Sequence, residues 1–107
     1  MNIIAVTACP TGIAHTYMAA AAIKKAAEGL GHMIKVETQG AIGIENKLAA
    51  KDVAAADLVI IAADVAIKDE ERFNGKCVYR AESQRAIKNP QGILVDGIAQ
   101  LKLQSEC

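Results

Sequence analysis

With 107 residues, 52% of them hydrophobic, the chain suits one domain with a real core, though it buries a smaller share of its surface than a longer chain would. Its 12 Lys and Arg balance 12 Asp and Glu, and only 3% of residues are aromatic, so neither a net field nor base-stacking platforms draw it to nucleic acid. The longest apolar stretch, 58–67, contains Asp64 and falls short of the ~20 residues of a membrane span, and the N-terminus lacks a basic lead; a cytoplasmic chain without direct membrane insertion is expected.

Asn2 to Ala8 is an apolar, β-branched run that stops at Cys9-Pro10, which predicts a first strand buried on both faces. From Thr16 to Leu30, Met18, Ala22, Ile23, Ala26 and Leu30 recur at helical spacing, and Gly29 and Gly31 end that helix. Met33 to Gln39 alternates as a second strand, followed by a flexible connection, Gly40-Ala41-Ile42-Gly43, and a short helix or two helical turns from Glu45 to Ala56. Asp57 to Ala63, with Leu58-Val59-Ile60-Ile61, suits the centre of a parallel sheet, and Lys76 to Arg80 is a shorter fourth strand. Ala81 to Lys88 reads as helical, Asn89-Pro90 breaks it, and Ile93 to Leu103 forms a last amphipathic helix.

This alternation predicts an α/β fold over a single domain, 1–107. The expected architecture is a Rossmann-like three-layer sandwich: a four-stranded, mostly parallel sheet with helices on both faces and a phosphatase-like loop after strand 1. Ligands bind such sheets outside the carboxyl ends of the strands, where the Cys9 loop, Thr38-Gln39-Gly40, Asp64 and Arg80 gather.

The chemistry concentrates in Cys9-Pro10-Thr11-Gly12-Ile13-Ala14-His15-Thr16. A helix N-terminus offers unpaired amides and about half a positive charge, which hold a phosphoryl group and favour thiolate at Cys9. Gly12 lets several amides turn inward, Pro10 stiffens the turn, and the Thr11 and Thr16 hydroxyls add donors or cap the helix. In the phosphatase loop an arginine follows the cysteine after five residues; here that position is His15, which lacks the bidentate guanidinium fork. Fast hydrolysis is poorly supported, and the loop suits forming a phosphocysteine and passing it on. His15 is assigned to contact with the loop or phosphoryl group, rather than only to ordering the first helical turn. Thr38 and Gln39 are candidate supporting hydrogen-bond partners, a role that ordinary turn chemistry explains about as well. Asp64 is assigned to capping the next turn, with general-acid chemistry as the alternative that would restore hydrolysis.

Cys77 lies in an apolar strand and reads as core, Cys107 is terminal, and no structural disulfide is expected. No His and Cys pair has zinc-ligand spacing, and the amides supply the electrostatics, so neither metal nor cofactor is expected.

The Cys9 to Thr16 motif, with Lys35-Val36-Glu37-Thr38-Gln39-Gly40 and Ala62-Ala63-Asp64, resembles the fructose-type enzyme IIB component of the bacterial phosphoenolpyruvate-dependent sugar phosphotransferase system. The resemblance runs from residue 1 to about the final helix. It implies that Cys9 takes a phosphoryl group from a phosphohistidine of the IIA component and passes it to fructose, or a fructose-like sugar, carried by the membrane IIC component. It further implies association with the inner face of the membrane through IIC. The competing readings are a small cysteine-dependent phosphatase or arsenate-reductase-like enzyme, and a non-catalytic phosphate-binding module.

Overall fold

The computed structural model describes residues 1–8, 13–40 and 43–103. Its elements, in chain order, are β1 (Asn2–Ala8), α1 (Ile13–Gly29), β2 (Met33–Gly40), β3 (Gly43–Glu45), α2 (Ala50–Ala55), β4 (Leu58–Ala63), a 3-10 turn (Glu70–Phe73), β5 (Val78–Ala81), α3 (Ser83–Lys88) and α4 (Pro90–Leu103).

The strands form one sheet in the order β3-β2-β1-β4-β5. β1 lies at its centre and pairs in parallel with β2 and β4, which explains why it is apolar at nearly every position rather than alternating. Ile3 and Ala5 face α1 and α4, packing with Ala19, Ile23, Ile93 and Leu94. Ile4 and Val6 face the other way, toward Leu48, Val53 and Phe73. Helices on both faces and a mostly parallel sheet are the expected α/β sandwich. Cys77 is buried, as expected of a core thiol.

The sheet has five strands, not four. Gly43–Glu45 pairs antiparallel with the end of β2, Thr38 opposite Glu45 and Gly40 opposite Gly43. Such a short strand shows no alternation to read, and it makes an edge strand of a stretch expected to be connection and helix. Asn46 then takes a left-handed φ of 53°, so the helix starts only at Ala50, with Asp52 accepting from the Ala49 amide at 3.0 Å.

α4 starts at Pro90 rather than Ile93, because proline suits the first helical position, where its missing N–H has no partner to lose. Asn89 caps this end by accepting from the Gly92 amide at 3.1 Å. Further along, a Cβ on Gly97 would stand 3.2 Å from Leu58 Cδ2; its absence lets α4 settle close to the sheet.

Candidate functional site

The strand register fixes one edge of the molecule. Ala8, at the end of β1, lies beside Gln39 of β2 and Ala63 of β4, and the Asp64 amide donates to the Ala8 carbonyl at 3.1 Å. α1 starts at this carboxyl edge and runs back across the sheet. Cys9, Pro10, Thr11 and Gly12 lie outside the described residues, between the end of β1 and the start of α1. Ile13 and Ala14 belong to the first turn of α1, as does His15, which is exposed.

Thr16 is fully buried, and among the described residues its hydroxyl has no hydrogen-bond partner. Its main-chain carbonyl accepts from the Thr7 hydroxyl at 3.0 Å. Thr38 is likewise buried, its hydroxyl without a partner among the described residues, next to Thr7 in the strand register. Two hydroxyls without partners beneath one sheet edge are unusual, since buried polar groups are nearly always bonded.

Gln39 turns its amide toward the segment after β4. Its Oε1 accepts from the Lys68 amide at 2.8 Å, and its Nε2 donates to the Lys68 carbonyl at 3.1 Å and to Glu37 Oε2 at 2.8 Å. Asp64 acts as a cap at the start of a helix. One carboxylate oxygen accepts from the Ser83 amide at 3.1 Å and the other from the Ser83 hydroxyl at 2.5 Å, so Asp64 holds the start of α3. Arg80 is paired with Glu70.

Sequence reasoning passed over a heavily bonded carboxylate near this edge. Glu37 has no exposed surface and accepts from Arg72 Nη1 at 2.8 Å, Arg72 Nη2 at 2.6 Å and the Leu48 amide at 2.9 Å. Burial alone pushes the Glu37 carboxyl up; the hydrogen bonds from Arg72, Gln39 and Leu48, with the Arg72 charge, outweigh it and hold the group below its ordinary value. The network joins β2, the approach to α2 and the 3-10 turn, and so fixes Gln39 and Lys68 at the edge. An acidic residue at a polar-face position of β2 gave no sign of burial, because its partner lies 35 residues away. Ser83, which bonds Asp64 through its amide and its hydroxyl, and Thr7, which bonds the Thr16 carbonyl, were missed as well, because only the fold creates these contacts.

Comparison with known proteins gives the family. Residues 4–96 match the family model described as the lactose/cellobiose-specific IIB subunit of the phosphotransferase system. The chain is 56% identical to the "PTS system fructose-like EIIB component 2" of Escherichia coli (strain K12), over 87% of this chain and 88% of that protein. It is 49% identical to part of the fructose-specific EIIB'BC component of Vibrio cholerae, covering 94% of this chain but 17% of that longer protein. Among solved structures, a domain of the fructose-specific IIABC component of Borrelia burgdorferi superposes with a TM-score of 0.87 at 48% identity, over 91% of this chain and 92% of that one. With a IIB family model spanning most of the chain and fructose-type relatives near half identity, this chain belongs to the IIB family of the sugar phosphotransferase system, as a fructose-type IIB domain.

Proposed function

We propose that residues 1–107 act as a single IIB domain that carries a phosphoryl group on Cys9 between two protein partners. The observation that carries this reading is the order of elements around the cysteine. The central strand ends at Ala8, Cys9 follows it, and α1 opens at Ile13, so the nucleophile stands between a rigid strand and a helix N-terminus.

In the first step the Cys9 thiolate attacks phosphorus in the phosphohistidine of a IIA component. The S–P bond forms as the N–P bond breaks, and the leaving imidazole takes a proton from water. In the second step a hydroxyl of fructose or a fructose-like sugar, held by the membrane IIC component, attacks the phosphocysteine. The O–P bond forms, the S–P bond breaks, the thiolate returns, and the hydroxyl proton passes to a base of the IIC component. Main-chain amides of residues 11–16 and the hydroxyls of Thr11 and Thr16 hold the phosphoryl oxygens, with Pro10 stiffening the turn, His15 at the rim and Thr38, Gln39 and Asp64 supporting from the adjoining strands.

Several features favour carrying over hydrolysis. The Asp64 carboxylate accepts from Ser83 through both oxygens, whereas a general acid would have to donate. Near the same edge Tyr17, Met18 and Val65 are exposed, an apolar rim suited to transient docking. No described helix is long and apolar enough to cross a membrane, and the EIIB'BC relative joins its IIB segments to a longer chain; a cytoplasmic position against a IIC component at the inner face of the membrane is consistent with both.

Intact-mass measurement after mixing with a phosphorylated IIA component tests the proposal. One phosphoryl adduct should appear, map to Cys9 and be absent from Cys9→Ser. Steady release of phosphate from an aryl phosphate would support the phosphatase reading instead.

A further inference from the structure

Thr7 and Thr16 stand on either side of the segment 9–12, and one fully buried hydrogen bond joins them. The Thr7 hydroxyl donates to the Thr16 carbonyl at 3.0 Å, and both residues are 0% exposed. Thr7 lies on the central strand, in register with Thr38 on one side and Ala62 on the other, so its backbone is held by two ladders. Thr16 lies near the start of α1.

A carbonyl within a helix keeps a second lone pair after its ladder bond, and Thr7 uses it; α1 does not need this bond in order to form. Nor does packing call for a hydroxyl, since Ile3 and Ala5 fill the same face of β1 with apolar groups. What the bond does is fix the opening of α1 to the strand that leads into Cys9. A helix N-terminal field fades within about one turn, so the spacing of these two elements decides how strongly it acts on a thiolate.

We infer that Thr7 is a positioning residue, whose hydrogen bond to Thr16 sets the distance between Cys9 and the amino end of α1. The inference rests on the reading of Cys9 as the phosphoryl carrier. Thr7 touches neither donor nor acceptor; it keeps the thiolate, and then the phosphocysteine, within reach of the helix amides.

The test compares Thr7→Val, which keeps the shape, with Thr7→Ser, which keeps the hydroxyl. Two readouts are taken on the full chain: the rate of Cys9 adduct formation from a phosphorylated IIA component, and the pH midpoint of Cys9 alkylation by iodoacetamide, mapped by peptide mass. Thr7→Val should slow the transfer by about tenfold or more, as a displacement near 1 Å can, and move the midpoint to higher pH. Thr7→Ser should stay within about twofold of the native rate, with an unmoved midpoint. A folded Thr7→Val that matches the native chain in both readouts overturns the inference. Should Thr7→Val fail to fold, the native chain decides by NMR: the Thr7 hydroxyl proton should be protected from solvent exchange and shift when Cys9 is phosphorylated, and a freely exchanging or unmoved proton overturns the inference. A native chain that takes no adduct removes the carrier reading, and the alkylation midpoints then still decide whether Thr7 positions the cysteine.

Discussion

Glu37 accepts hydrogen bonds from Arg72, Gln39 and the Leu48 amide, and its worth follows from what each alternative would leave behind. A buried ion pair contributes modestly against a well-packed apolar pair, but removing one member strands the other. Arg72, with 17% of its side chain exposed, would keep its charge, stack on Phe73 at 4.6 Å, and lose its bidentate acceptor. Glu37→Gln should therefore cost about 3 kcal/mol, toward the low end for a broken buried pair because Arg72 retains some water. Urea denaturation measures this as a lowered midpoint with unchanged slope. The pH dependence has a definite sign. The folded carboxyl lies below its ordinary 4.5, so on acidification the unfolded chain binds its proton first, and stability falls as pH drops through 4.5 toward the folded value. Above that window the contribution is complete, and Glu37→Gln should lack this acid-side slope. None of this was legible in the sequence, where alternation assigns Glu37 to a wet face. The segment covering that face is a bridge of irregular chain, and irregular chain leaves no periodic trace.

At the scale of elements, legibility tracks how local the cause is. α1 announced its end through Gly29 and Gly31, and the structure closes it there: the His32 amide bonds the Ala27 carbonyl at 3.0 Å and the Gly31 amide bonds Glu28 at 3.0 Å, with Gly31 at φ +83°. A Cβ on Gly31 would meet nothing within 4 Å, so any cost of Gly31→Ala is conformational. That substitution should lower stability by about 1 kcal/mol, read as a lower thermal midpoint without change in Cys9 alkylation. β3, by contrast, is created by β2 offering it an edge, and its three residues carry no pattern of their own. α2 lies between these cases: Leu48 and Val53 showed that something packs there, while nothing in the pattern announced the left-handed Asn46 between β3 and the helix. At the cysteine, the strand and the helix were both legible, and with them the position of Cys9 between the two. The bond from Thr7 to Thr16 was not, since nothing local distinguishes a threonine that donates across a turn from one that fills a strand.

For the molecule as a whole, parallel pairing gives the sheet two unlike edges, and the distinction can be tested without touching the cysteine. The carboxyl edge receives the start of α1 and has Tyr17, Met18 and Val65 exposed nearby. The amino edge also shows apolar groups: Met33 is 73% exposed, and its amide bonds the Met1 carbonyl at 3.1 Å. Exposure alone therefore does not say where partners dock, whereas the proposed role of Cys9 does, because a carrier cysteine at the end of β1 would have to be reached by the donor histidine. Met18→Asp should weaken productive docking, raising the KM for phosphorylated IIA component by about tenfold, the scale expected when a central side chain of a modest interface is replaced. Met33→Asp, a like change in charge and polarity at the opposite edge, should leave that KM within about twofold. Thermal midpoints should change little in both, since both residues are exposed, and Cys9 alkylation should match the native chain if docking rather than thiolate chemistry is altered. Equal effects of the two substitutions would mean that the partner reads overall charge rather than the carboxyl edge. A defect confined to Met33→Asp would place the donor on the wrong side of the sheet for Cys9 to receive its phosphoryl group.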